Sequence, residues 1–314
     1  MAVKGRRPPI VGVVAACVAA VTLGAYATPR AAQKPPPPPR TTFVELGAVV
    51  VDGHDKPVRG LHRDDFQIKE DGGAVAISSF SEVSAAGING PSDGRSVVLL
   101  LDDTIGPAGT SIMQGIARLL LSRARPADAV SVVRLTHHED EAFGALSVAL
   151  NRIDEYQSNA LPYFGRETTE DALAAVKSIS KQVEPAHRRT AIVCIGRREV
   201  CDPYLETPEY SLVWPYWRDA LSAAARADVS VYLVDPQGVG AAQDMGDGLV
   251  DHTGGTVYVR SNDFTRAADA IWGEAGHYYV LGYTPTARPR ELHEIDVKMK
   301  PRGLRVRTHL NRGD

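Results

Sequence analysis

The chain is poor in cysteine, in net charge and in the short motifs of common hydrolases. It has three cysteines among 314 residues and a formal net charge of −3 at pH 7. So small a charge, without a long basic run after residue 40, argues against a nucleic-acid partner. The sequence contains neither G-x-S-x-G nor H-E-x-x-H, the motifs of serine hydrolases and zinc-dependent proteases. These absences lead us to expect a protein without enzymatic activity.

Residues 1–27 have the pattern of an export signal. Basic residues at the start are followed by the apolar run Ile10–Leu23 and by Ala25-Tyr26-Ala27, with small residues where a signal peptidase cleaves. The alternative is an uncleaved anchor, because a helix over residues 10–27 spans about 27 Å, close to a bilayer core of about 30 Å. In both cases the remaining chain leaves the cytoplasm for the periplasm, the cell envelope or the medium. If the segment is not cleaved, membrane contact is confined to residues 10–27.

Residues 28–42 predict a stiff linker between this leader and the folded part. Their KPPPPPR stretch favours the polyproline II conformation, in which five prolines at about 3.1 Å each extend roughly 15 Å. We interpret the linker as a stalk.

Residues 43–84 and 277–311 predict antiparallel strands. In the first segment alternating apolar residues flank turns at Asp52–Lys56 and Asp71–Gly73, and the second segment alternates in ELHEIDVKMK and LRVRTHL. No helix separates the later strands, so they cannot extend a parallel sheet by crossover connections. We therefore expect the two segments to pack into one accessory β module.

Residues 96–276 alternate strands with helices. Apolar runs predict the strands Val97–Leu101, Ala129–Leu135, Thr190–Ile195, Val229–Val234 and Thr256–Val259. Amphipathic segments predict the helices Thr110–Arg123, Thr169–Lys181, Tyr216–Arg226 and Asp263–Ala275. Ala142–Val148 is predicted to be an edge strand. This alternation predicts an α/β fold with a doubly wound, mostly parallel sheet, to which the antiparallel β module is added.

The stretch SVVLLLDDTIGPAGTS predicts a ligand-binding position. Val97–Leu101 is a continuous apolar run, typical of a strand buried on both faces of a parallel sheet. Asp102 and Asp103 follow it directly, and open α/β sheets bind ligands at the carboxyl ends of such strands. The spacing Asp102-x-Thr104-x-Gly106 resembles the Asp-x-Ser-x-Ser metal loop of a von Willebrand factor A domain, without its second hydroxyl.

Three further blocks carry a wider resemblance. They are VVVDGHDKPVRGLHRDDFQIKEDG near the start, VVLLLDDT in the first sheet strand, and HTGGTVYVRSNDFTRAADAI followed by HYYVLGYTPT near the end. Together they resemble the VWFA-related Acidobacterial domain family, bacterial secreted proteins related to von Willebrand factor A domains. The resemblance covers about residues 42–310. It implies an A-type fold and a cell-envelope setting, and it implies no substrate.

The resemblance also implies candidate metal ligands. Related A domains hold a divalent cation with side chains from three loops, and here Asp102 and Thr104 match the first loop, while Thr168 or Thr169 lies near the place of the second. Thr168 has an alternative role, because it forms a plausible capping box with Asp171.

The third loop departs from this pattern. It should supply an aspartate, but the sequence reads Gly196-Arg197-Arg198-Glu199, and an arginine pair opposes a cation by its charge. We therefore predict a degenerate metal-ion-dependent adhesion site without a cofactor, with Mg²⁺ or Ca²⁺ as the alternative.

A polar cluster follows the second predicted sheet strand, with the sequence His137-His138-Glu139-Asp140-Glu141. Consecutive histidines rarely converge on one metal without further ligands, so we interpret the cluster as a solvated hairpin tip. If its strand is parallel to the first one, the tip lies at the same sheet edge as Asp102.

The cysteines leave two alternatives. Cys17 lies within the leader, so the exported chain keeps Cys194 and Cys201. These two can form a disulfide in an oxidising compartment, or Cys194 can be a buried thiol of its apolar run.

We hypothesise an exported binding protein that engages a protein or peptide partner without catalysis. Its predicted interaction face contains Asp102, Asp103, Thr104, His137, His138, Arg197 and Arg198. Asp102 is expected to accept N–H groups near residues 105–108 and to pair with a guanidinium of the neighbouring loop. The alternatives are a cation-dependent adhesion module and an envelope enzyme that uses Asp102, Asp103 or His137. Asp235 also ends a predicted strand, but no partner base is evident.

Overall fold

The two ends of the chain form antiparallel strands, and the segment between them alternates strands with helices. The computed structural model describes residues 43–85, 94–137, 145–158, 166–184, 188–203, 213–240, 248–259, 261–285 and 292–312. The first segment contains β1 (Val44–Val51), β2 (Phe66–Glu70), β3 (Gly73–Val75) and β4 (Ile77–Ser84). The strands of the middle segment are β5 (Ser96–Leu101), β6 (Ala129–Arg134), β7 (Thr190–Ile195), β8 (Val229–Val234) and β9 (Val257–Tyr258). Its helices are α1 (Thr110–Leu121), α2 (Leu146–Glu155), α3 (Arg166–Val183), α4 (Arg198–Cys201), α5 (Trp214–Arg226), α6 (Leu249–His252) and α7 (Phe264–Ala275). The last segment contains β10 (His277–Tyr283), β11 (His293–Met299), β12 (Arg305–Thr308) and β13 (Asn311–Arg312).

The middle strands form one parallel sheet in the order β6-β5-β7-β8-β9. Every residue of β5, β7 and β8 is buried, as expected for parallel strands that are covered on both faces. Their sequences SVVLLL, TAIVCI and VSVYLV are rich in the aliphatic and β-branched side chains that such strands favour. The predicted α/β class with a mostly parallel sheet is confirmed.

Helices pack on both faces of this sheet. Alternate residues of β5 point to opposite faces, and they belong to two separate hydrophobic cores. On one face Val98 and Leu100 lie in a core that contains Leu173 of α3 and Trp217 of α5. On the other face, residues of α1, α2 and α7 pack on the remaining side chains of β5.

The strand order creates a switch point between β5 and β7. Helix α1, which follows β5, covers one face, whereas α5, which follows β7, covers the other. The loops that leave the carboxyl ends of these two neighbouring strands therefore diverge. In open α/β sheets the crevice between such loops is where ligands bind.

The terminal segments combine in two four-stranded antiparallel sheets, ordered β12-β1-β10-β4 and β13-β11-β2-β3. Each sheet contains strands from both ends of the chain: β1 pairs with β10 and β12, and β2 pairs with β11. Their inner faces share one core, which includes Leu46, Phe66, Tyr279 and Ile295. Residues 41–314 form one compact unit, so this β module and the α/β part are not separate bodies.

The predicted edge strand Ala142–Val148 is wrong where the structure describes it. Residues 146–148 begin helix α2, whose buried residues Ala149 and Ile153 face the sheet while Val148 and Leu150 stay exposed. The apolar positions Leu146, Ala149 and Ile153 recur at helical spacing, and this period outweighs the short alternation at the start of the segment.

Several predictions fall on other parts of the chain. The leader 1–27, the whole linker 28–42, and His138 with its three acidic neighbours lie outside the described residues. Within the described ranges, no helix is long and apolar enough to cross a membrane.

Candidate functional site

The carboxyl ends of β5 and β7 bring Asp102 and Arg197 together at the switch point. The Asp102 N–H donates to the Ile195 carbonyl at 3.0 Å, which joins the two loops at their bases. Arg197 reaches back across the crevice and donates through Nε (3.2 Å) and its backbone N–H (3.3 Å) to Asp102 Oδ2. The expected pairing of a carboxylate with a guanidinium is therefore present at this edge.

Thr104 completes this buried cluster. Its backbone N–H (3.0 Å) and its hydroxyl (2.5 Å) donate to Asp102 Oδ1, and Arg197 Nη2 donates to Thr104 Oγ1 at 2.5 Å. Asp102 thus caps its turn through Thr104 and not through the N–H groups of residues 105–108 that we predicted. Both carboxylate oxygens are occupied, and a charge-assisted network of this kind holds the two loops together.

Asp103 serves a different neighbour. It accepts the N–H (3.1 Å) and the hydroxyl (2.5 Å) of Thr136, in the short turn 135–137 that follows β6. His137 is exposed on the same turn, with Nδ1 at 2.8 Å from Thr136 Oγ1 and at 3.7 Å from Asp103 Oδ2. The loops after β5 and β6 are therefore also joined, and His137 lies at the edge that contains Asp102, as we predicted.

Arg198 turns away from the crevice. It is buried, its Nη2 lies 3.5 Å from Asp202 Oδ2, and Asp202 Oδ1 in turn accepts the Val250 N–H at 2.9 Å. Helix α4 is thereby attached to α6. Arg198 stabilises this contact between helices and does not face solvent.

Burial corrects the predicted interaction face. Its five charged or hydroxylated residues at the loop bases are at most 6% exposed, and they are Asp102, Asp103, Thr104, Arg197 and Arg198. They bind one another and their supporting loops, so a partner cannot reach them in this conformation. Of the predicted face, His137 stays accessible.

Cys194 and Cys201 form a disulfide, with a Cα–Cα distance of 5.8 Å. The bond joins the end of β7 to α4 and closes the loop that carries Arg197. Gly196 within this loop has no room for a side chain, because a Cβ there would lie 2.4 Å from Cβ of Asp102 and 2.9 Å from Sγ of Cys201. The loop is thus fixed against β5 from two sides.

Thr168, the remaining metal candidate, lies in the first turn of α3. The helix starts at Arg166, so Thr168 and Asp171 are both inside it and the predicted capping box does not form. The Thr168 hydroxyl is buried and has no hydrogen-bond partner among the residues that the structure describes. In the parts of the chain that the structure describes, no three His, Cys, Asp or Glu side chains are grouped to hold a metal ion.

Asp235 is a further acid at this edge, directly after β8. Burial raises the pKa of its carboxyl, and the negative charge of Glu199 raises it further. The Gln237 N–H, which donates to Oδ1 at 2.8 Å, lowers the pKa but does not outweigh them. It is 2% exposed.

Three large apolar side chains are also exposed at this edge, and the sequence analysis missed them. Trp214 and Tyr216 begin α5 and are 51% and 45% exposed, and Val239 in the turn after β8 is 70% exposed. The segment WPYW contains a partial signal, since Trp217 shares a helical stripe with Ala220 and Leu221, which leaves Tyr216 off the buried stripe. Trp214, three residues before Trp217, falls on that stripe by spacing, so its exposure leaves no such signal. Both segments follow carboxyl ends of parallel strands and therefore lie at the Asp102 edge of the sheet.

Comparisons with known proteins add little to this description. No family model matches the chain, and no curated protein matches it. Among solved structures, the chain is similar to the human COPII-coat protein Sec24c, with a TM-score of 0.35 and 10% sequence identity. The match covers 74% of this chain and 46% of Sec24c.

Proposed function

We propose that this chain is an exported cell-envelope binding protein of the VWFA-related Acidobacterial domain family. Its A-type α/β domain binds a protein or peptide partner without catalysis. The observation that supports this most directly is a difference in exposure at the carboxyl edge of the sheet. Asp102 and Arg197 are buried there and bind each other, whereas Trp214, Tyr216 and Val239 are exposed.

An exposed set of this kind suits protein recognition. Tryptophan and tyrosine are enriched at the centres of protein interfaces, because they bury much area with few rotatable bonds. The exposed His137 adds a polar group at the same sheet edge. Trp214 and Tyr216 lie in the first turn of α5, whose backbone is already ordered, so less conformational entropy is lost when a partner binds.

The proposal is tested by capture from the native envelope with the full chain as bait. A Trp214→Ala/Tyr216→Ala variant should lose the captured partner. Phe43→Ala is the control, since Phe43 is apolar, 48% exposed, and precedes β1 in the β module. Equal capture by the two variants would show that the contact lies elsewhere on the molecule. Failure of the wild-type chain to retain a partner would refute the proposal.

A cation-dependent adhesion module is the second candidate, and the unpartnered buried hydroxyl of Thr168 favours it. A cation between Asp102, Thr104 and Thr168 would have to displace the Arg197 guanidinium from the first two. Titration calorimetry with Mg²⁺, Mn²⁺ and Ca²⁺ separates the candidates, because heat of binding that disappears in Asp102→Ala supports the adhesion module.

A further inference from the structure

A groove separates β11 from β12, although the two strands follow one another along the chain. They are joined by residues 300–304, and consecutive strands with so short a connection usually pair. Here β11 belongs to one sheet and β12 to the other. The space between them has a volume of about 470 Å³ and an apolar lining that includes Val51, Val297, Met299 and Val306.

Strand β11 turns unpaired backbone groups toward this groove. Lys300 N–H donates to Asp65 O on the β2 side, whereas Ile295 N–H donates to Leu310 O on the other side. Because backbone groups alternate along an antiparallel strand, the N–H and C=O of Val297 and Met299 point to the same side as those of Ile295. In the described part of the chain these groups have no hydrogen-bond partner on that side.

Strand β12 contributes a second unpaired position. The backbone carbonyl of Val50 in β1 accepts the Val58 N–H at 2.8 Å on the side away from β12. The backbone N–H and C=O groups of its neighbours Val49 and Val51 therefore point toward β12. They pair with Arg307 and Arg305, and the alternation turns the backbone of Val306 into the groove. The groove thus has an apolar lining with a strand edge on each side.

The hairpin formed by β11, β12 and the connection 300–304 is predominantly positive. The hairpin has five cations, Lys298, Lys300, Arg302, Arg305 and Arg307. Three of them form ion pairs: Lys298 with Asp296, Arg305 with Asp55, and Arg307 with Glu274. Lys300 and Arg302 are exposed and make no ion pair with any described residue. This excess of positive charge lies on a chain whose net charge is −3.

We propose that this groove binds an acidic peptide segment in extended conformation, which adds as a strand between β11 and β12. Its backbone pairs with Val297, Met299 and Val306, its apolar side chains enter the groove, and its carboxylates meet Lys300 and Arg302. Strand addition of this kind obtains affinity from main-chain hydrogen bonds and specificity from alternate side chains. The site shares no residue with the carboxyl edge of the parallel sheet, so it goes beyond the function proposed above, and either proposal can fail alone.

The test uses the full chain and a fluorescent peptide with the repeating sequence Glu-Val, read by fluorescence anisotropy. The peptide should bind, and a Lys-Val peptide should not. An acidic peptide N-methylated at every second residue keeps the charge and loses main-chain donors, and it should bind at least about tenfold more weakly. Lys300→Glu and Arg302→Glu should each weaken binding of the acidic peptide by about fivefold to tenfold.

Lys181→Glu is the matched control, because it makes the same charge change at an exposed position of α3 and should leave binding unchanged. Since all three substituted residues are exposed, thermal unfolding should show the same melting temperature for each variant. Absence of binding by the acidic peptide would overturn the proposal. Equal binding of the N-methylated peptide would also overturn it. So would binding of the protein to phosphatidylglycerol vesicles that excess acidic peptide does not reverse. Either result would indicate a basic surface that does not add a strand.

Discussion

Arg197 supplies the positive charge that the buried carboxylate of Asp102 requires. Side chains of both residues are at most 7% exposed, so neither charge is solvated by water. Taking two charges out of water is costly, and the cost is recovered when several hydrogen bonds join them, as they do here through Thr104. Asp102, which the sequence suggests as a metal ligand, is instead the centre of a cluster that holds two loops together.

Arg197→Met should lower the free energy of unfolding by about 3–5 kcal/mol, because it leaves the Asp102 carboxylate buried without a counter-ion. Urea denaturation measures this loss. Arg118→Met is the control, since Arg118 forms an exposed pair with Asp154 at 2.5 Å, and its removal should cost less than about 1 kcal/mol. Equal losses in the two variants would contradict a supporting role for the Asp102–Arg197 pair.

A ligand that binds the folded state alone must stabilise it by mass action. With Arg197 in place, we expect excess Mg²⁺ to leave the melting temperature of the wild-type chain unchanged. Asp102→Ala should melt at a lower temperature in metal-free buffer, because the N–H and hydroxyl of Thr104 and the guanidinium of Arg197 lose their acceptor. Thermal unfolding with and without Mg²⁺ checks both points, and an increase that Asp102→Ala abolishes would support the adhesion module instead.

Asp128 lies directly before β6, at the opposite end of that strand from His137, and it makes the free energy of unfolding depend on pH. Burial raises the pKa of its carboxyl, but hydrogen bonds from Arg95 and from the N–H of Arg125 outweigh this and lower the pKa from 3.8 to about 2. A lowered pKa means that the ionised form stabilises the fold above about pH 4 and that this contribution is lost as the pH falls toward about 2. Asp128→Asn should therefore cost about 2 kcal/mol near neutral pH and little at the acid end. Chemical denaturation across this range measures the difference, and a loss that does not change with pH would contradict the assignment.

At the scale of elements, the apolar runs were the informative part of the sequence. The buried strands β7 and β8 coincide with their predicted bounds, because parallel strands covered on both faces leave uninterrupted runs of aliphatic residues. Helix α2 was mistaken for a strand, since seven residues are too few to separate a period of two from a period of 3.6. The burial of Arg197 and Arg198 could not be predicted either, because it depends on parts of the chain that are distant in sequence. Arg197 binds Asp102 in the loop after β5, and Arg198 lies at the contact between α4 and α6.

The disulfide should stabilise the loop between β7 and α4 by limiting the freedom of the unfolded chain. For a closed loop of this length the loss on removal is about 2–3 kcal/mol. We expect Cys201→Ser, or reduction of the unfolded wild type, to lower the free energy of unfolding by that amount. Cys17→Ser is the control and should respond to oxidant and reductant as the wild type does. If Cys201→Ser and wild type unfold alike under oxidising conditions, the bond does not contribute.

At the scale of the whole molecule, the two ends of the chain are held together by the β module. Arg307 of β12 reaches Glu274 of α7 at 2.5 Å, and Arg189 before β7 pairs with Asp228 at 3.1 Å beside Gly47 of β1. Alternating strands at both ends gave grounds to expect a shared module. The ion pairs that attach it to the α/β part leave no comparable pattern in the sequence, since each joins single residues of unrelated segments.

The proposed export is tested by deleting residues 1–27. The shortened chain should stay in the cytoplasm, whereas the full chain should be accessible to protease in spheroplasts. Sequencing the amino terminus of the mature protein then separates cleavage after Ala27 from an anchored form. A full chain that resists protease in intact spheroplasts and is digested only after lysis would refute export.

The pairing of the first strand with the last ones also sets the order in which the molecule can be completed. The Thr308 hydroxyl donates to Gly47 O at 2.8 Å, across 261 residues of chain, and β1 lies between β10 and β12. A chain still being synthesised therefore carries β1 without either neighbour, and closing so long a loop is delayed until almost the entire polypeptide has emerged. The amino-terminal strands are therefore locked only when synthesis is nearly complete, which would keep the chain open for the translocation that the proposed export requires.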